Sequence, residues 1–206
     1  MNPNLLKSIM AIHSLKREFQ IVSLTFILLF TIPIFSIFIL TNAGIQIVSD
    51  QLVSQDTHTH NVDIHDPITG KVIATVPITS TWPLHGVVTL EFGANDLPYQ
   101  PLHTGIDIAN VEGTPIVAAI SGTVIYSDEI NWGYGNHIVI DNGNNIVSLY
   151  GHLSERNVQK GDKVVAGQTI IGKEGETGWA TGPHLHFEID VFNIPVNPRT
   201  FIEGDP

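Results

Sequence analysis

Residues 137–150, HIVIDNGNNIVSLY, hold two alternating apolar runs around a cluster of asparagine and glycine. Asn142-Gly143 between such runs predicts a β-hairpin, because both residue types accept the positive φ that a tight hairpin turn demands. Working outward, short β-branched runs recur at Val87–Phe92, Thr104–Ile108, Pro115–Ala118, Gly122–Ser127, His137–Asp141, Asn145–Tyr150, Thr169–Gly172 and His184–Ile189. Glu112-Gly113, Gly161-Asp162 and Ala166-Gly167 separate them as turn signals. No long amphipathic helix follows Trp82. The pattern predicts a compact, mostly antiparallel β domain of about 110 residues, a normal size for one core.

The N-terminal part differs in texture. Ile21–Leu40 (IVSLTFILLFTIPIFSIFIL) carries no charged residue. Twenty helical residues at roughly 1.5 Å each span about 30 Å, the thickness of a bilayer hydrocarbon core. Pro33 is tolerable in such a helix. Lys7, Lys16 and Arg17 precede the block and no basic residue follows it until Lys71, which orients the later chain outward. The expected organisation is a cytoplasmic N-terminus at 1–20, a transmembrane anchor at 21–40, a polar linker at 41–81 and a β domain at 82–206. A short strand around Lys71–Pro77 is the one element expected in the linker. A cleaved signal peptide, with Thr41 and Ala43 as the small residues, is the alternative and would make the domain secreted.

Composition narrows the chemistry. Cysteine is absent, so disulfides and thiolate metal sites are excluded, and a metal must be held by histidine and carboxylate. After Leu40 six basic side chains face nineteen acidic ones, which argues against nucleic-acid binding through a basic patch.

Three groups among the ten histidines stand out. In His184-Leu185-His186-Phe187-Glu188-Ile189, strand geometry puts His184 and His186 on one face and Leu185 and Phe187 on the other. Such a pair can bind a metal or divide ligand and acid–base roles, or it can be a solvated cross-strand pair. His103 and Asp107 are four residues apart, again on one face if extended. With one more histidine they would make a three-ligand site with an open corner for water; a lone histidine near a turn is the alternative. His152 ends a run at Leu149-Tyr150-Gly151-His152-Leu153 and could lean over a sheet face or sit idle at its rim.

The ordered set His103…Asp107, His152, His184-x-His186 resembles the signature of the lysostaphin-type zinc endopeptidases, which include the LytM-like peptidoglycan hydrolases. The surrounding text is similar too: HTGIDIA, GTPIVAAISGTVIYS, GYGNHIVIDNG, LYGHLS, VQKGDKVVAGQTIIG and TGPHLHFEI, from about Trp82 to Phe192. The resemblance implies a mainly β domain of the lysostaphin/LytM (duplicated hybrid motif) type, here preceded by one transmembrane helix. It implies one Zn2+ held by His103, Asp107 and His186, with His152 and His184 as the remaining active-site histidines. It also implies peptidoglycan peptides as substrate, and with the anchor expected at 21–40 the domain would be membrane-tethered and face the wall. Family members often carry an arginine shortly after the Phe-Gly that precedes the first motif, whereas Phe92-Gly93 is followed here by Ala94-Asn95-Asp96. Tyr99, Trp132, Tyr134 and Trp179 are candidate groove residues, with ordinary loop packing as their alternative.

A catalytically silent relative that binds peptidoglycan and activates another hydrolase is the competing function. Such relatives typically lose zinc ligands, and this chain keeps all five histidine and aspartate positions. Val158–Gly172 also resembles a carrier-domain hairpin, but no lysine sits at its tip. His58, His60 and His65 read as linker residues, and His85 and His137 as structural.

Overall fold

The computed structural model describes Lys16, Phe19, Gln20 and residues 22–25, 43–56, 58–79, 81–94 and 102–206. The chain divides into two units, 1–41 and 42–206. In the first, the described residues are helical. Most of the expected span 21–40 lies outside the described residues, and among these no helix is long and apolar enough to cross a membrane.

The second unit is built from strands β1 (Val53–Asp56), β2 (Asn61–His65), β3 (Val72–Pro77), β4 (Val87–Leu90), β5 (Ile106–Ala109), β6 (Pro115–Val117), β7 (Gly122–Glu129), β8 (Asn136–Gly143), β9 (Ile146–Gly151), β10 (Glu155–Arg156), β11 (Lys163–Val164), β12 (Ile170–Lys173), β13 (Leu185–Val191) and β14 (Ile194–Val196). An eight-stranded antiparallel sheet runs β11-β7-β8-β9-β13-β5-β4, with β14 also on β13; a small sheet runs β10-β12-β6.

Register across the large sheet sets up both core and site. Phe187 on β13 lies opposite Ile106 on β5 and Tyr150 on β9, and Tyr150 lies opposite Ile138 on β8. These four side chains form one fully buried row. The next row shows the other face of the sheet, with His186 between Asp107 and Gly151. Alternation thus buries Leu185, Phe187 and Ile189 while turning His186 and Glu188 the opposite way. Phe187→Ala is expected to destabilise the fold by about 3–5 kcal/mol through loss of transfer energy and an unfilled cavity. A urea unfolding midpoint checks this; an unchanged midpoint would contradict the row's role.

The β8–β9 hairpin turns one dipeptide later than the Asn-Gly signal suggests. Asn144 and Asn145 take φ of 51° and 62°, and Gly143 pairs with Ile146. Asn142 stays in the strand, its amide donating to the carbonyls of Ile120 and Ser121. Asparagine tolerates the left-handed region, so Asn-Asn can fill a turn of this kind.

The expectation of a polar linker is corrected by residues 43–79, which contain a helix over 43–52 and a three-stranded antiparallel sheet ordered β1-β2-β3. Leu52, Val53, Val62 and Ile64 are buried and belong to the same core as the large sheet. The layer is tied to the rest by Gln46, which donates to the Phe92 carbonyl, by the Asn197 amide donating to the Ser49 hydroxyl, and by a bridge between Thr79 and Ile202. Asn61-Val62-Asp63-Ile64-His65 alternates with period two, and the polar half of that alternation is what disguised it as linker.

Candidate active site

Loop and strand positions bring the sequence's five candidates together. His103 stands just before β5, hydrogen-bonded through its backbone to Ala94 and Gly93. Asp107 and His186 are paired residues on β5 and β13, and His152 directly follows β9. His184 precedes β13 and bridges to Gly175.

Three donor atoms converge. His103 Nε2 lies 3.0 Å from Asp107 Oδ1 and 3.1 Å from His186 Nδ1, and His186 Nδ1 lies 2.9 Å from Asp107 Oδ1. The outer ring nitrogens have partners of their own. His103 Nδ1 is 3.0 Å from the Glu91 carbonyl and His186 Nε2 is 3.1 Å from Glu188 Oε2. Both partners are acceptors, so each outer nitrogen is placed to donate a hydrogen and leave the inner one to a cation. With both rings neutral in that tautomer, each would aim a bare lone pair at the same point as the carboxylate. Such a cluster repels itself unless a cation sits within it. A proton can fill that role: burial works against charge on His186, but hydrogen bonds to Asp107 and Glu188 outweigh it and raise its pKa to about 9. For Asp107, burial would raise the pKa, yet its bonds to His103 and His186 hold it well below the usual carboxylate range. Two imidazoles and one carboxylate with outer-shell acceptors in place also form a donor set suited to zinc. His103, Asp107 and His186 fit a metal ion, and they are the one such group among the described residues.

The other two histidines flank this point. His152 Nδ1 donates to the Thr177 carbonyl at 2.8 Å, and His184 Nδ1 donates to the Gly182 carbonyl at 2.8 Å. In each, Nε2 is the ring nitrogen left without a backbone partner. The rings are 4.7 Å apart, and His184 Nε2 is 3.6 Å from Asp107 Oδ2. Burial, and then the neighbouring imidazoles of His184 and His186, push the His152 pKa down to about 4. His152 also adopts φ of 64°, a left-handed conformation uncommon for a side-chain-bearing residue. Its backbone amide is held by Tyr134 and its ring by Thr177.

The site opens into a groove of roughly 500 Å³ lined by all five residues, with Leu90, Ile130, Trp132, Tyr134 and Trp179 among its walls. That volume suits a small-ligand site, or a few residues of a longer chain. Trp132 and Trp179 are 62% and 65% exposed, with ring centroids 6.1 Å apart. Their loops are locked together: the Trp179 amide donates to the Gly133 carbonyl, and a side chain at Gly135, which has φ of 61°, would collide with Thr177. Tyr134 lines the groove but also reaches behind it, where its hydroxyl donates to Glu188 Oε2 at 3.1 Å. Burial first, and then the charge of Glu188, raise its pKa. Tyr99 lies outside the described residues. Glu188 itself escaped notice in the sequence, although its spacing of i+4 from His184 on a strand places it on the histidine face.

Comparison with known proteins agrees with this geometry. The profile described as peptidase family M23 matches residues 101–198. Peptidoglycan DD-endopeptidase ShyA of Vibrio cholerae is 44% identical over 95 residues, which are 46% of this chain and 22% of that protein. The chain thus spans about a fifth of this curated relative. The crystallised catalytic domain of the antimicrobial peptidase lysostaphin from Staphylococcus simulans is 35% identical, with 56% of this chain and 91% of that one covered at a TM-score of 0.52. A zinc-containing peptidase from Vibrio cholerae is 27% identical, covering 71% of this chain and 47% of that one at a TM-score of 0.55. A domain matched almost end to end, on the residues that carry the histidine cluster, places the chain in peptidase family M23.

Proposed function

We propose that this chain is a zinc-dependent endopeptidase acting on the stem or cross-bridge peptides of bacterial peptidoglycan, with one zinc ion per chain. The observation that carries this is the convergence of His103 Nε2, Asp107 Oδ1 and His186 Nδ1, each outer ring nitrogen being already engaged. Peptidoglycan as substrate rests on the likeness to ShyA, whose name specifies it.

Zinc on such a donor set supplies Lewis acidity toward a peptide carbonyl and an activated water at neutral pH. The remaining work falls to the chain. His152, neutral because its pKa is held near 4, offers Nε2 to the proton released as water attacks the amide carbon. The same nitrogen returns that proton to the departing amine when the C–N bond breaks. His184, its Nδ1 held by the Gly182 carbonyl, has Nε2 3.6 Å from Asp107 Oδ2, and a proton carried there would be donated to the oxygen that gains charge in the tetrahedral state. The carbonyls of Thr177 and Gly182 keep both rings in the required orientation.

We propose further that the domain works outside the cytoplasm. The support is the uncharged block Ile21–Leu40 and the basic residues on one side of it, as an anchor or as a cleaved signal. The test uses purified peptidoglycan incubated with the protein, with and without a chelator. Chelator-sensitive release of new amino termini is expected. Sedimentation with the wall without release would instead indicate the silent binding module, and neither would sink both readings.

A further inference from the structure

Behind His186 lies a carboxylate that the groove does not reach. Glu188 is 4% exposed, two residues along β13 on the same face as His186. Its Oε2 receives three donors: Thr104 Oγ1 at 2.6 Å, Tyr134 OH at 3.1 Å and His186 Nε2 at 3.1 Å. Two of these come from loops elsewhere in the chain. Thr104 adjoins His103, and Tyr134 belongs to the turn that holds the His152 amide.

We propose that Glu188 is the positioning residue of the metal site: by accepting from His186 Nε2 it fixes the tautomer that leaves Nδ1 bare toward Asp107 and His103. This rests on the reading of those three residues as metal ligands. The opposite tautomer would face the Glu188 carboxylate with a lone pair and put a hydrogen where the metal must bind. Thr104 and Tyr134 complete the arrangement. Their hydroxyls donate to the same Oε2, so the carboxylate cannot rotate away without orphaning two part-buried donors. The ring of Tyr134, 5.4 Å from that of His186, packs on the same assembly. Outer-shell acceptors of metal-bound histidines are generally worth roughly 10–100-fold in metal affinity.

The experiment compares the full chain with Glu188→Leu, Glu188→Asp and Glu188→Gln. The zinc dissociation constant is measured by chelator competition, and the visible spectrum of the cobalt-substituted protein reports ligand geometry. Leu should weaken zinc by roughly 10–100-fold, and Asp, whose shorter side chain falls short of Nε2, should also weaken it. Gln presents an amide oxygen to the same donors and should bind within a few-fold of wild type with an unchanged cobalt spectrum. If Leu fails to fold by circular dichroism, the Asp and Gln variants decide. Lowered thermal stability with unchanged zinc affinity in Asp or Leu would overturn the inference, as would Gln weakening zinc as much as Leu. A wild-type chain without zinc affinity would overturn the metal-site reading itself, so the two failures are distinguishable.

Discussion

Asp107→Ala is expected to abolish zinc binding and peptide hydrolysis together. Asp107 is the one anion in the trio, and its Oδ1 is the atom closest to both imidazole nitrogens, at 3.0 and 2.9 Å. Without it, His103 Nε2 and His186 Nδ1 face each other at 3.1 Å with no negative charge to hold a dication between them. Two neutral nitrogens are fewer ligands than catalytic zinc sites use. Loss of the several kcal/mol that a metal contributes to the transition state corresponds to a fall in rate of at least about 10³-fold. Metal analysis of the purified variant and the release of amino termini from peptidoglycan check the two halves separately. A variant that keeps stoichiometric zinc would remove Asp107 from the ligand set. One that keeps activity without zinc would end the metallopeptidase reading.

The residues of this site were legible for a physical reason. Strand periodicity turns His184-x-His186 into two side chains on one face, and a four-residue gap does the same for His103 and Asp107. Register then does what sequence alone cannot: the pairing of β13 with β5 brings Asp107 opposite His186 across 79 positions of chain. The eight strand expectations from Trp82 onward overlap β4 to β9, β12 and β13. Strands β10 and β11 have two residues each, too few to show any period. The strand expected around Lys71–Pro77 is β3, but β1 and β2 hid behind polar residues: Asp63 and His65 on β2 and the exposed His58 and His60 in the turn before it dominate the composition, while Val62 and Ile64 fill the core. Tyr134 shows a different limit. Read as a groove wall, it does line the groove, but its hydroxyl is engaged behind the metal site, and nothing in its local sequence signals a partner 54 residues away.

His152 should separate catalysis from metal binding. Its replacement is expected to lower turnover by roughly 10²–10⁴-fold, the contribution typical of a general acid–base group, while zinc content stays near that of wild type. The choice of replacement matters, because His152 holds φ of 64°. Alanine there would keep the strained backbone but lose the ring's bond to the Thr177 carbonyl that helps hold it, so a loss of activity could reflect a displaced loop. Asparagine accepts the left-handed region more readily and can present an amide to the Thr177 carbonyl, yet it cannot take a proton at neutral pH. His152→Asn therefore keeps the backbone path from β9 into the loop and removes only the titratable nitrogen. A low turnover in the asparagine variant, with zinc retained and an unchanged melting temperature, assigns proton transfer to Nε2 of His152. Near-wild-type turnover in the same variant would shift that role to His184, whose ring stands 4.7 Å away and whose Nδ1 is held by Gly182 in the same manner.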